Sequence, residues 1–271
     1  MSEPATFLTT QEYQRFAEFA DAVRRDRYIG LCYGPPGVGK TLSARHYAHW
    51  DATVRYLTRR QQPTTDDFML RPPEGLDTAR TVFWTAPVAV TAAQINRSVL
   101  SWCEQVDRAI RRMPKGWRRP PGRGLFPHVE LIVVDEADRL KTTGLEQLRD
   151  IYDQHRIGLV LIGMPGLQRR LARYPQLYSR VGFAHEYRPL SRTELLDLLQ
   201  HHASDLGLHL PEAALTDPDA LAAIVRITGG NLRLVQRLFA QINRIAEIND
   251  LDTITRDVVD TARESLIIGV A

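Results

Sequence analysis

One run of eight residues, Gly34-Pro35-Pro36-Gly37-Val38-Gly39-Lys40-Thr41, constrains what this chain can fold into more than anything else in it. It satisfies the pattern G-x-x-x-x-G-K-[ST] at every constrained position, and that pattern works only where a buried strand turns into a helix. Both flanks supply the context. Residues 28–33 form a short apolar run that stops at Gly and Pro, as a buried strand does, and a helix is expected from residue 40 to about 49. Glycines let successive backbone N–H groups turn toward phosphate oxygens, and the helix N-terminus adds the positive end of its dipole. Lys40 would reach the β and γ phosphates, and Thr41 would offer its hydroxyl to magnesium. A nucleotide's phosphates with Mg2+ are therefore the expected ligand, held by residues 34–41.

A second apolar run, residues 129–134, delivers Asp135 and Glu136 at its C-terminal end, where α/β sheets place their sites. Asp135 is expected in the magnesium shell and Glu136 as the group that polarises the attacking water, with Asp138 the nearest alternative. Two further short runs, 54–57 and 81–85, bracket a polar, Pro-containing stretch from Arg59 to Arg80 that reads as a surface loop or an insertion. Helices are expected at 9–25, at 92–112 and from residue 144 to about 154. Strands alternate with helices, so the expected fold is α/β. Its parallel sheet, covered on both faces, has strands near 28–33, 81–86, 129–134, 158–162 and 183–187.

Beyond Pro189 the strand signal stops. Helices at about 192–206, 218–228, 231–248 and 255–267 have caps or breakers where they need them: Ser191 with Glu194, Asp217 before Pro218, and Gly229-Gly230 before Asn231. The expected division is residues 1–189 for the sheet domain and 190–271 for a small helical bundle.

Charge is distributed unevenly. The formal net charge is +3, yet residues 108–123 hold seven basic side chains (Arg108, Arg111, Arg112, Lys115, Arg118, Arg119, Arg123) and no acid, which leaves −4 for the rest. Residues 191–271 carry seven Arg against twelve Asp or Glu, a balance of −5 that sets the C-terminal third apart. With Trp117 among them, the seven cations can line a nucleic-acid channel by neutralising phosphates. Arg111, Arg112, Lys115, Arg118 and Arg119 are the expected DNA contacts. The competing reading is a solvated loop. No stretch approaches the roughly 18–20 apolar residues of a membrane span, and the N-terminus lacks the order of a signal peptide, so a cytoplasmic protein with no membrane partner is expected. Cys32 and Cys103 have no Cys or His at metal-ligand spacing and read as reduced and structural.

On these motifs the chain resembles the AAA+ ATPases over nearly its whole length. The resemblance is carried by the phosphate loop, the strand ending in Asp135-Glu136, and the helical C-terminal segment. Two further stretches support it: Gly230-Asn231-Leu232-Arg233, which opens a helix like a sensor 2 motif, and Pro175-Gln176-Leu177-Tyr178-Ser179-Arg180, which looks like an arginine-finger segment. It implies a RecA-like core of five parallel strands followed by a helical lid. It also implies that Arg233 senses the nucleotide from the lid and that Arg180 completes the ATP site of a neighbouring subunit, with Arg170 and Arg173 as rivals. A permanent planar charge suits Arg to both roles. One departure stands out: many family members end the fourth strand with Asn, Thr or Ser as sensor 1, whereas here Ile162 is followed by Gly163-Met164-Pro165. Slow turnover, or a neighbouring polar group as substitute, is expected.

Within that family the compact length, the short N-terminal helix and the stretch from Gly-Met-Pro-Gly-Leu to Ser-Arg look most like the TnsC/TniB/MuB group of DNA transposition regulators. This resemblance implies a homo-oligomer, ring or helical filament, that assembles with ATP on DNA and recruits or activates a transposase in target-site selection, with a targeting protein as a further partner. The alternative class is an ATPase that remodels or regulates a protein partner, in secretion or signalling, without touching DNA.

Overall fold

The computed structural model describes residues 7–61, 70–114, 121–122, 124–211 and 214–266. Four of the apolar runs form strands that are buried almost throughout: β1 (Ile29–Tyr33), β2 (Thr81–Thr85), β3 (Leu131–Asp135) and β4 (Gly158–Gly163). Continuous runs of Val, Ile and Leu are what strands covered on both faces require. β5 (Val181–Glu186) alternates between half-buried and exposed residues and pairs only with β1, as an edge strand. All pairings are parallel, in the order β2-β3-β4-β1-β5, so the expected five-stranded parallel α/β sheet is present. The chain leaves β1 for the far edge, returns through β3 and β4, then steps over β1 to β5. In open α/β sheets a ligand crevice forms at the carboxyl ends of the strands where the order reverses, here at the end of β1.

The described chain falls into two compact units, one of Tyr13–Gly34 with Lys40–Tyr187 and the other of Met1–Glu12, Pro35–Gly39 and Arg188–Ala271. Helices α1 (Gln11–Asp26), α2 (Lys40–Tyr47), α3 (Trp50–Gln61), α4 (Leu76–Ala79), α5 (Ala92–Arg111), α6 (Thr142–His155), α7 (Leu167–Leu171) and α8 (Pro175–Tyr178) flank the strands in sequence. α5 opens with a capping box in which Thr91 and Gln94 bond reciprocally, and it buries Ile95, Val99, Cys103, Val106 and Ile110 along one stripe.

Two sequence expectations are corrected here. The apolar run at 54–57 lies inside α3; a four-residue window hid the helical spacing of Trp50, Thr53, Tyr56 and Leu57, all buried. The stretch from Arg59 to Arg80 is not a surface loop throughout. α3 continues to Gln61, residues 62–69 lie outside the described residues, and α4 returns the chain to the core with Leu76, Asp77, Ala79 and Arg80 buried. Arg80 is 1% exposed. Its guanidinium donates to Asp77 O (3.0 Å), Asp77 Oδ1 (3.2 Å) and Glu130 Oε1 (3.1 Å), while its carbonyl accepts from Glu130 N (2.8 Å).

In the second unit α9 (Arg192–His201), α10 (Pro218–Thr228), α11 (Leu232–Asn249) and α12 (Arg256–Glu264) enclose a core of Leu195, Leu199, Ile224, Leu238, Phe239 and Ile242. The expected caps are in place: Ser191 with Glu194, Asp217 before Pro218, and Gly229 in the left-handed conformation closing α10. α9 stops at His201, short of the expected residue 206, with His202 as its C-cap.

Removing Arg80 would take the buried ion pair from Asp77, whose side chain is 3% exposed. Arg80→Ala is expected to lower unfolding free energy by about 3–5 kcal/mol, the range for breaking a buried ion pair from one side. Urea denaturation followed by circular dichroism checks this.

Candidate nucleotide-hydrolysis site

At the end of β1 the chain enters the phosphate loop, and α2 begins on Lys40, so the loop is set at a helix N-terminus by the pairing of β1 with β4 and β5. Lys40 is 8% exposed, and its Nζ donates to Gly34 O at 2.6 Å. Burial pushes its pKa down; the charges of Asp135, Glu136 and Asp138 oppose that shift. At the next residue, Thr41 Oγ1 donates to Asp135 Oδ2 at 2.7 Å. Asp135, 4% exposed, also accepts from Glu136 N through Oδ1 at 2.9 Å. Burial raises its pKa, and the bonds from Thr41 and from Glu136 N pull it back. Because β4 separates β1 from β3, the Thr41–Asp135 bond spans the carboxyl end of β4.

Glu136 takes a left-handed backbone conformation (φ 56°, ψ 38°), which costs a non-glycine residue about 1–3 kcal/mol and clusters at functional sites. Its side chain is 38% exposed and lies 3.6 Å from Arg139. Two adjacent carboxylates thus sit in opposite environments, Asp135 buried beside a hydroxyl and Glu136 open to water.

The segment Pro35–Gly39 groups with the helical unit. Asn231 caps α11 by accepting from Arg233 N (3.1 Å) and Leu234 N (3.3 Å), and its Nδ2 donates to Pro36 O (2.8 Å). Arg233 N also reaches Gly37 O at 3.1 Å. Gly37 has φ +81°, and a Cβ there would lie 2.6 Å from Asn231 Oδ1, so both the backbone and the neighbour demand glycine. Arg233 is therefore beside the loop, as is Asn231, a residue that sequence reasoning treated only as a helix opener.

The remaining predicted residues lie elsewhere. Arg180 precedes β5, and its carbonyl accepts from Ile29 N, which places it at the amino end of β1, opposite the phosphate loop. Its guanidinium bonds Asp153 Oδ1 (2.6 Å) and Gln176 O. Arg170 donates to Asp138 O (2.6 Å) and Leu140 O, while Arg173 is exposed. Arg111 and Arg112 are exposed at the end of α5, Arg111 pairing with Asp107 at 2.7 Å; Lys115, Arg118 and Arg119 lie outside the described residues.

A phosphate loop between strand and helix, with a buried Asp bonded to its Thr and an outward Glu next in sequence, defines a P-loop ATPase. The chain belongs to the family described as AAA domain, whose profile matches residues 23–171. It is 42% identical over the full length of both chains to a potential ATP-binding protein of Staphylococcus aureus. It is 26% identical to the Mu-like prophage FluMu DNA transposition protein B of Haemophilus influenzae, over 92% of this chain and 77% of that one, which agrees with the MuB-like resemblance read from the motifs. Among solved structures, the RuvB Holliday junction branch migration motor of Thermotoga maritima has the same fold, with TM-score 0.56 and 18% identity over 96% of this chain and 72% of that chain. Among the described residues no helix is long and apolar enough to cross a membrane.

Asn231→Ala should lose both the cap and the bond to Pro36 O. The expected result is about 1 kcal/mol less stability, the usual cost of a lost cap, and weaker ATP binding by calorimetric titration. Asn231→Asp keeps the cap and loses only the donor, so it should retain the stability and still bind ATP less tightly.

Proposed function

We propose that this chain is an ATP-dependent, DNA-binding AAA+ ATPase that assembles as a homo-oligomer, ring or filament, and regulates or recruits a transposase during target-site selection. The observation that carries the hydrolytic part is the Thr41–Asp135 bond with Glu136 turned outward beside it. The DNA part is supported by the similarity to a DNA transposition protein across 92% of the chain.

In this reading the loop's N–H groups and Lys40 hold the phosphates. Thr41 and Asp135 are hard oxygen donors brought within 2.7 Å of each other, so these two residues would hold Mg2+, an ion that usually keeps waters and substrate phosphates beside one or two protein ligands. The ion, when bound, would offset charge on the β and γ phosphates. Glu136 polarises the attacking water, and Arg233 senses the nucleotide from the lid formed by residues 190–271. Arg180, at the opposite end of the sheet from its own loop, serves a neighbouring subunit. Arg111, Arg112, Lys115, Arg118 and Arg119 meet DNA phosphates. The protein works in the cytoplasm, with a transposase and a targeting protein as partners.

A second reading, an ATPase acting on a protein partner without DNA, draws on the pairing of Arg108 with Glu104 and Arg111 with Asp107, which already offsets two of the basic residues.

Glu136→Gln keeps the shape and loses the basicity. It should bind ATP normally and turn over about 10²–10⁴-fold more slowly, the scale of general-base catalysis, in a steady-state phosphate-release assay.

Changing Arg111, Arg112, Arg118 and Arg119 together to Ala should weaken DNA binding regardless of sequence and leave ATP affinity intact. The log–log salt slope of duplex binding should fall by about 0.9 for each phosphate no longer neutralised. An unchanged slope, with ATPase activity indifferent to DNA, would favour the second reading.

A further inference from the structure

β4 runs between β1 and β3, so whatever stands at its carboxyl end lies between the carboxyl ends of those two strands. That position is Gly163. A Cβ there would overlap Asp138 Oδ1, well inside contact distance. The same oxygen accepts from Met164 N at 3.0 Å. The Asp138 carboxylate therefore fills the space that a side chain at residue 163 would need and anchors the residue that follows it. Arg170 grips the same turn from its backbone side, donating to Asp138 O and Leu140 O. The turn Ala137–Arg139 starts from Glu136, whose left-handed conformation persists only if its surroundings over-determine it.

We propose that Asp138 is a positioning residue for hydrolysis: by accepting the Met164 N–H across the space left by Gly163, it ties the end of β4 to the turn that carries Glu136. This rests on the reading of Glu136 as the group that polarises water. Asp138 stands in for the polar side chain that the fourth strand lacks, but it is supplied by the strand next door. Its role is to fix Glu136 relative to the strand ends on either side, and its Oδ1 is already engaged by a backbone donor.

The test is a double-mutant cycle on the full chain, measured by steady-state ATPase activity and by titration with a fluorescent ATP analogue. Asp138→Ala should lower kcat by about 10- to 100-fold, the effect of losing one hydrogen bond to a charged group. KM and nucleotide affinity should stay within about twofold, because the loss falls on the hydrolytic step. Asp138→Asn keeps an oxygen that can accept the same N–H and should recover most of the loss. Gly163→Ala should lower kcat in the otherwise native chain yet add nothing to Asp138→Ala, since the methyl then enters vacated space.

The proposal is overturned if Asp138→Asn is as slow as Asp138→Ala, which would give the charge a chemical role, or if KM rises while kcat holds. Strictly additive effects of Gly163→Ala and Asp138→Ala would overturn it too. Glu136→Gln is measured alongside: native turnover in that variant would remove Glu136 from the hydrolytic step, whereas the 138–163 cycle would still report whether those two positions are coupled.

Discussion

The 2.7 Å bond from Thr41 to Asp135 is the interaction on which the rest of the site depends. A carboxylate buried to 4% exposure is costly unless hydrogen-bonded; beside the N–H of Glu136 next in sequence, its side-chain partner comes from the helix after β1, which reaches across the end of β4. The strand order β2-β3-β4-β1-β5 makes that reach a single strand wide. At the end of β4 the Asp138 carboxylate, reaching in from the β3 side, fills the space that a side chain on Gly163 would need.

What was legible in the sequence follows from the same architecture. Strands buried on both faces announce themselves as unbroken apolar runs, and all five strands could be placed within two residues at each end, including β5, an edge strand with alternating exposure. The phosphate loop and Asp135-Glu136 were legible because their chemistry needs particular residue types at fixed spacing. Arg80 was not, because its partner Glu130 is 50 positions away and nothing local marks a polar stretch as buried. Asn231 was half legible: its place after Gly229-Gly230 marks a cap, but its second bond, to Pro36, joins residues 195 positions apart. Gly163 was read as something missing, when the group that excludes a side chain there is Asp138, on another strand's turn.

The arginines sort by what already holds them. Arg170 is committed to two carbonyls of the turn after Glu136, so moving it to another molecule would undo that turn. Arg180 is held by an exposed carboxylate and one carbonyl, partners that water can replace at little cost. Arg173 is exposed. For the proposed role in a neighbouring subunit, these restraints favour Arg180 or Arg173 over Arg170, and the position of Arg180 at the amino end of the sheet separates it from its own loop.

Burial works against charge on both sides of the phosphate site. It lowers the pKa of Lys40 and raises that of Asp135, so each group is pressed toward its neutral form by loss of water. Phosphates beside Lys40 and a cation beside Asp135 would each restore the charged form, and they arrive together in a metal-bound nucleotide. Glu136, 38% exposed, keeps its water, as the proposed role in polarising a water molecule would require, and its left-handed turn runs into the segment where Asp138 accepts from Met164 N and Arg170 donates to Asp138 O.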